Sequence, residues 1–359
     1  MTAPITGPTK MTIERLRELL EAAVRLELAT IPPYLCALYS IHPGTNLEAT
    51  LVVRSVVVEE MLHMVLSGNV LNAIGGRPRV SGTYAPHYPH ELPDGVVIDL
   101  LPFSPAAVES FLQVENPAYK TGDESPAPAL GRRSTLHPSH VLTVADGPTT
   151  IGAFYAEIEA GLRGLAAEIG EAALFCGDPA RQIGGAYYYA SGGAPVVVTD
   201  LDSACRALEE VVEQGEGDLS SAFDADGDLA HYYRFEQLKY ARSYQPGDGE
   251  GIPTGPAVGV DFTTVYPMLP NPRVEEYTDP DLRAAGDEAN RAWSKLLIQI
   301  DEAFDGTPAA LIPAVQTMFT LRDTMLVLLA NPMPGHDGFN AGPTFEIPSA
   351  IPSTAGARP

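Results

Sequence analysis

The chain has 359 residues and carries 22 basic and 46 acidic side chains, which gives a formal net charge of −24 at pH 7. Such a charge repels nucleic acid and anionic lipid, so we expect neither as a partner. The longest apolar run, residues 51–58, is broken by Arg54 and is far too short to cross a bilayer. The N-terminus lacks the layout of a secretory signal and the three cysteines have no disulfide or metal spacing, so we expect a cytoplasmic protein.

Helix-periodic segments alternate with long stretches rich in glycine and proline. Apolar periodicity predicts helices over about 12–28, 46–74, 148–173, 201–217 and 228–242, followed by two more over 287–304 and 307–330. Pro32 and Pro33 are predicted to interrupt the first helix, with a kinked extension over 34–41. The stretches 77–148 and 244–280 are predicted to be irregular insertions, apart from a short helix over 105–112.

These elements predict an all-α fold, a four-helix bundle with two long insertions and two extra C-terminal helices. Residues 12–348 are expected to form one domain. Residues 1–11 and 349–359 are expected to be disordered.

Three ionisable residues lie on apolar helix faces in the first half of the chain. Glu27 sits at the centre of the apolar stripe of the first helix, where a lone ionised carboxylate is costly unless it is paired or bound to a cation. Glu60 and His63 share the most apolar face of the second helix, and their Glu-x-x-His spacing places both side chains one turn apart. Di-metal carboxylate bundles present two inward ligands in this way. Glu59 lies off that face and is predicted to be a solvated charge.

The second half of the chain offers a less complete set. His231 shares a face with apolar residues and is predicted to point inward. Its acidic partner is either Glu216, which is preferred because it lies between glycines, or Asp228, which could instead cap a helix. The helix over 148–173 has no acid at the centre of its stripe. Glu157 and Glu159 flank the stripe, and Glu159 is nearer to its centre.

Other histidines and tyrosines are expected to have simpler roles. The pairs at 87/90 and 137/140 lie in proline-containing loops and cannot present a regular helical face, so metal binding is not expected there. Tyr34 and Tyr155 are expected to pack in the core, with hydrogen bonding or a redox role as the alternative.

Several runs of sequence together resemble a known family. They are residues 26–35 (LELATIPPYL), 58–63 (VEEMLH), 150–155 (TIGAFY), 214–217 (QGEG), 231–235 (HYYRF), 268–272 (MLPNP) and 342–345 (GPTF). They resemble the ferritin-like domain of the iminophenyl-pyruvate dimer synthase family of the violacein pathway. The resemblance spans about residues 12–345 and implies a ferritin-like bundle. It implies metal-site roles for Glu27, Glu60, His63, Glu216 and His231.

The candidate ligands favour a particular chemistry. Mixed carboxylate and imidazole ligands suit iron or manganese, although zinc or copper would also fit. We expect two iron ions held by Glu27, Glu60, His63, Glu159, Glu216 and His231. These ions would activate dioxygen to oxidise a small amine- or amino-acid-derived substrate of specialised metabolism, in a pocket formed by the two insertions. The alternatives are a metal-binding or storage bundle and a degenerate scaffold for a biosynthetic partner. Self-association is compatible with the sequence.

Overall fold

The computed structural model describes residues 11–92, 95–116, 151–189, 192–216, 222–223 and 227–348. The described part is mostly helical and contains one two-stranded hairpin. The predicted all-α fold is therefore confirmed. The disorder expected at both ends falls on residues 1–10 and 349–359, which lie outside the described residues, whereas Met11 packs against the core.

The elements follow one another in a simple order. The helices are α1 (Ile13–Ser40), α2 (Leu47–Ala73), α3 (Pro105–Val114), α4 (Ile151–Ile169), α5 (Glu171–Leu174), α6 (Leu201–Glu216), α7 (His231–Tyr240), α8 (Pro280–Phe304) and α9 (Leu311–Leu329). The hairpin pairs β1 (His90–Glu91) with β2 (Val97–Ile98) in antiparallel register.

Helices α1, α2, α4 and α6 form the bundle, and α7 extends the last of them. A short connection joins α1 to α2, and the two pack along each other as an antiparallel pair. Helix α4 packs against α1 and α6, and α6 packs against α2. Helix α7 contacts α2, α6 and α3, so the fourth position of the bundle is shared by two shorter helices. The buried apolar side chains of these helices form one core.

Helix α1 runs through Pro32 and Pro33 without a break, so the predicted interruption is wrong. Proline at position 33 removes the N–H that would bond to the Ala29 carbonyl four residues earlier. The buried phenol of Tyr88 donates to that carbonyl at 2.7 Å and so replaces one lost backbone bond. A tertiary contact from the first insertion thereby allows the helix to continue.

Helix α7 begins at His231 rather than at the predicted Asp228. Residues Phe223 and Leu229 form an isolated β-bridge, and the Ala230 N–H donates to the Ala222 carbonyl at 3.2 Å. This closed loop leaves Ala230, in an extended conformation, as the N-cap. The reading of Asp228 as the helix cap is therefore wrong as well.

Two C-terminal helices pack outside the bundle, as predicted. Helix α8 contacts α9 and α2, and α9 contacts α1. Helix α8 starts at Pro280, earlier than the predicted residue 287, because the Asp279 carboxylate accepts the backbone N–H groups of residues 281 and 282. Proline at the first helical position suits this start.

The described parts of the two insertions are irregular, as predicted. The first contains a 3₁₀ turn (Gly82–Tyr84), the β1–β2 hairpin and α3, which is slightly longer than the predicted short helix. The second contains a 3₁₀ turn (Val274–Glu276) and isolated bridges. None of the described helices has the length and hydropathy needed to span a membrane.

Gly68 determines how closely α2 approaches α8. A Cβ atom at position 68 would lie 2.4 Å from ring atoms of the buried Phe304. We expect Gly68→Ala to destabilise the protein by about 1–3 kcal/mol through overpacking. The matched change Gly164→Ala, on an exposed part of α4 with nothing within 4 Å, should stabilise it by about 0.5–1 kcal/mol. Denaturant melts of both variants measure these effects. A stabilised Gly68→Ala would contradict the close α2–α8 contact.

Candidate metal centre

Four of the predicted residues meet in the core of the bundle. They are Glu27 from α1, Glu60 and His63 from α2, and His231 from the start of α7, and each is at most 4% exposed. The Nδ1 atom of His63 lies 3.7 Å from Glu27 Oε2 and 3.9 Å from Glu60 Oε1. The Nδ1 atom of His231 lies 3.0 Å from the same Glu60 oxygen. The Glu-x-x-His pair and the two outlying polar residues therefore form one cluster.

A fifth member, Glu115, was not predicted from the sequence. It follows α3 directly as the C-cap residue, is 5% exposed, and places Oε2 at 3.6 Å from His231 Nδ1. It lies one helical turn after the buried Phe111, so its position on an apolar face was readable from the sequence. It was overlooked because α3 lies inside a proline-rich insertion, where no bundle helix was expected.

The structure does not bring Glu159, Glu157 or Asp228 into the cluster. The partly exposed Glu159 carboxylate accepts from Arg163 Nε at 2.8 Å, one turn away on α4. Glu157 is also partly exposed, and Asp228 is exposed ahead of α7. Glu216 is the last residue of α6, and its side chain lies outside the described part of the chain. The prediction that α4 contributes an acid to the site is therefore wrong. Helix α4 is amphipathic, and the acids on either side of its apolar stripe face solvent.

The other histidine pairs can be placed only in part. Residues 137 and 140 lie outside the described residues. Among the described residues, Glu60, His63 and His231 form a group whose side-chain atoms lie close enough to hold a metal ion. The histidines at 87 and 90 are not part of this group.

Each carboxylate of the cluster is anchored by one oxygen and presents the other to a histidine. The Tyr155 phenol donates to Glu27 Oε1, and the Tyr34 phenol donates to Glu115 Oε1. The Thr30 hydroxyl donates to the Glu27 backbone carbonyl at 2.8 Å and lies 2.9 Å from Glu60 Oε2. The oxygens left over are those that face the imidazole Nδ1 atoms.

Tyr34 and Tyr155 are therefore hydrogen-bond donors as well as core residues. Burial, followed by the charges of the neighbouring carboxylates, raises the pKa of both phenols well above the usual value. Both phenols remain protonated over the physiological range, so each donates its proton to the carboxylate that it contacts.

Glu59 contacts His231 Nε2, the ring nitrogen that points away from the cluster. It is not the solvated charge that was predicted. Its Oε2 lies 2.9 Å from His231 Nε2, and its Oε1 accepts from Arg234 at 2.8 Å. Burial acts to raise its pKa, but the His231 and Arg234 contacts outweigh burial and lower the pKa to about 2. The prediction failed because α2 is buried on two sides, and Glu59 faces α7.

The outer nitrogen of His63 is also held, with Nε2 at 3.0 Å from Gln214 Oε1. The two imidazole rings stack with their centroids 5.3 Å apart, and both turn Nδ1 toward the carboxylates. His231 Nδ1 is fully buried and makes no hydrogen bond of regular geometry, although Glu60 Oε1 lies 3.0 Å away. An orphaned polar atom in a core is costly, and a bound cation at this position would remove that cost.

The charges of the cluster also favour a cation. Burial and the neighbouring Glu115 and Glu27 raise the pKa of Glu60 to about 8. Burial acts to lower the pKa of His63 and of His231, but the surrounding carboxylates outweigh burial and raise both values. Without a cation, protons must therefore neutralise the cluster. Three carboxylates and two imidazoles are a donor set that suits iron or manganese.

Comparison with known proteins agrees with this geometry. Residues 20–240 match the family model described as Ferritin-like. The chain belongs to the ferritin-like family. It is 25% identical to dichlorochromopyrrolate synthase of Lentzea aerocolonigenes over 84% of its own length, but it spans only 30% of that enzyme. A solved ferritin-like protein from Caulobacter vibrioides has a TM-score of 0.59 and 23% identity, covering 89% of this chain and 96% of that one. That structure shows the same fold, and the predicted ferritin-like bundle is confirmed.

We expect the metal-free protein to lose stability as the pH rises from about 5 to about 8. The pKa of Glu60 is 4.5 when unperturbed and about 8 in the folded chain, so the folded state holds a proton that the unfolded state releases. The raised pKa values of His63 and His231 act in the same direction, because their stabilising contribution is lost as the pH rises through the folded values. Glu59, whose pKa is lowered, completes its titration well below this range.

Denaturant melts of chelator-treated protein across this pH range measure the effect. Glu60→Gln should flatten the pH dependence, and bound divalent metal should remove it by replacing the protons. A metal-free protein whose stability is constant or increases toward pH 8 would contradict the electrostatic description of the cluster.

Proposed function

We propose that this chain is a metal-dependent oxidoreductase that uses two iron ions and dioxygen to oxidise a small amine- or amino-acid-derived substrate. The observation that carries the proposal is the pair of imidazole Nδ1 atoms that face three carboxylates in an apolar core, the His231 atom without a hydrogen bond of regular geometry. Glu27, Glu60 and His63 would hold one ion. Glu60, Glu115 and His231 would hold the other.

The residues of the cluster have distinct tasks in this proposal. Glu60 Oε1 is near both histidines and would be shared between the two positions. The Thr30, Tyr34 and Tyr155 hydroxyls fix the orientation of the carboxylates, so little reorganisation is needed on binding. When bound, iron would supply the electrons and the site at which dioxygen is reduced. The buried surroundings exclude water from that site.

The relatives support an organic substrate. Dichlorochromopyrrolate synthase is, by its name, a biosynthetic enzyme. Since this chain covers less than a third of that protein, the reaction and the substrate are part of the proposal. The first insertion favours a catalytic role, because its helix α3 packs against α7 and places Glu115 in the cluster. We propose that the two insertions also form the substrate pocket.

Glu60→Ala should remove at least half of the bound metal. Glu60 lies between the two proposed positions, so its loss would affect both. The experiment loads purified protein anaerobically with ferrous iron and counts iron per chain after desalting. Wild type should retain about two ions, as expected for a paired site. The matched control Glu159→Gln, in a surface ion pair on α4, should retain the wild-type content. Full occupancy in Glu60→Ala would contradict the ligand assignment.

Oxygen consumption by the iron-loaded protein distinguishes a catalytic oxidase from a metal store. A catalytic oxidase should consume dioxygen in excess of its iron when a suitable amine or amino acid is present. Consumption limited to the iron content, across a broad set of such compounds, would indicate a metal store. Failure of wild type to bind any metal would indicate a scaffold.

A further inference from the structure

The side-chain amide of Gln214 reaches the cluster from α6. Gln214 lies in the last turn of α6 and makes three side-chain contacts. Its Nε2 donates to the Gly192 carbonyl at 3.0 Å and to Glu210 Oε1 at 2.6 Å. Its Oε1 lies 3.0 Å from His63 Nε2.

These contacts fix which way the amide points. A backbone carbonyl can only accept a hydrogen bond, so the NH₂ group of Gln214 must face Gly192. Gly192 itself packs directly against Glu59, because its φ is +88° and a Cβ there would lie 2.6 Å from the Glu59 side chain. The amide oxygen is thereby turned toward His63. This orientation is set by the network and not by the histidine.

The fixed amide determines the tautomer of the neutral imidazole. An amide oxygen only accepts, so His63 must carry its proton on Nε2 to complete the 3.0 Å bond. Nδ1 is then left bare, and it is the atom that faces Glu27 and Glu60. With a donor at position 214 in place of the amide oxygen, the proton would sit on Nδ1 and block that face.

We propose that Gln214 is a positioning residue that holds His63 in the Nε2–H tautomer and so presents Nδ1 as a ligand atom. Its purpose rests on the proposed metal centre, but the tautomer itself does not require metal. Glu59 serves His231 in the same manner, with a carboxylate held by Arg234. A carboxylate makes a histidine more basic than an amide does, so the His63 position should bind divalent metal less tightly than the His231 position.

The test reads the tautomer directly in metal-free protein. Histidines are labelled with ¹⁵N, His63 is assigned from the spectrum of His63→Gln, and two-bond ¹⁵N–¹H correlations are recorded at a pH where the ring is neutral. Wild type should show the Nε2–H form. Gln214→Leu should give a mixture of tautomers, Gln214→Glu should restore the Nε2–H form, and the exposed control Glu209→Gln on the same helix should match wild type.

Titration of the same proteins with Zn²⁺ gives the second readout. Gln214→Leu should weaken the His63 position by roughly 10–100-fold and leave the His231 position unchanged, whereas Gln214→Glu should tighten the His63 position. A wild-type His63 in the Nδ1–H form, or a Gln214→Leu variant with an unchanged tautomer and unchanged Zn²⁺ affinity, would overturn the proposal. The wild-type spectrum decides the first point even if a variant fails to fold. If wild type shows the Nε2–H form but binds no metal, the proposed function fails while the assignment of Gln214 stands.

Discussion

The arrangement depends on one shared atom, Glu60 Oε1, which faces the Nδ1 atoms of His63 and His231 at the same time. Three carboxylates and two imidazoles buried around it would be unstable in an apolar core if nothing neutralised and oriented them. Protons neutralise them in the metal-free chain, which is why the pKa of Glu60 rises to about 8. The surrounding polar side chains orient them through hydrogen bonds. The hydroxyls of Thr30, Tyr34 and Tyr155 each hold one carboxylate oxygen.

The fold brings residues from four helices, α1, α2, α3 and α7, together in this cluster. The α1–α2 pair provides the first three cluster residues, and α1 continues without a break through its two prolines, where Tyr88 donates to the Ala29 carbonyl. Phe223 and Leu229 form a β-bridge directly before α7, and His231 lies in the core at the first turn of that helix. Helix α3 belongs to an insertion, yet its C-cap residue supplies the third carboxylate. The first insertion therefore contributes a residue to the cluster and is not only an addition to the outside of the bundle.

The sequence predicts the helices and four of the five cluster residues for the same physical reason. Glu27, Glu60, His63 and His231 interrupt apolar stripes, and such misfits are readable wherever a long helix makes the periodicity clear. Glu115 was not predicted because α3 is short and lies in a proline-rich segment. Its apolar stripe spans too few turns for the periodicity to be recognised. Glu59 and Glu159 were misread because a single helix shows which residues share a face but not how many neighbours cover it. Helix α2 is covered on two sides, whereas α4 leaves both flanks partly open.

The contacts of Gln214 with His63 and Gly192 could not be predicted from sequence, because they join distant residues through tertiary packing. Local patterns favoured Glu216 in that run, since an acid between glycines is a reasonable ligand. The structure places the Gln214 amide oxygen 3.0 Å from His63 Nε2, and the side chain of Glu216 lies outside the described part of the chain. Polar groups that support ligands are set by the fold around them and carry little local signal.

Anomalous diffraction from crystals soaked in ferrous or manganous ion tests the central claim most directly. The proposed two-iron centre should give two peaks about 3.5–4 Å apart, on the Nδ1 side of His63 and of His231, with Glu60 between them. A single peak beside Glu60 would reduce the centre to one ion. No peak within bonding distance of either Nδ1 atom, in crystals that bind the ion elsewhere, would contradict the assignment of this cluster as a metal centre.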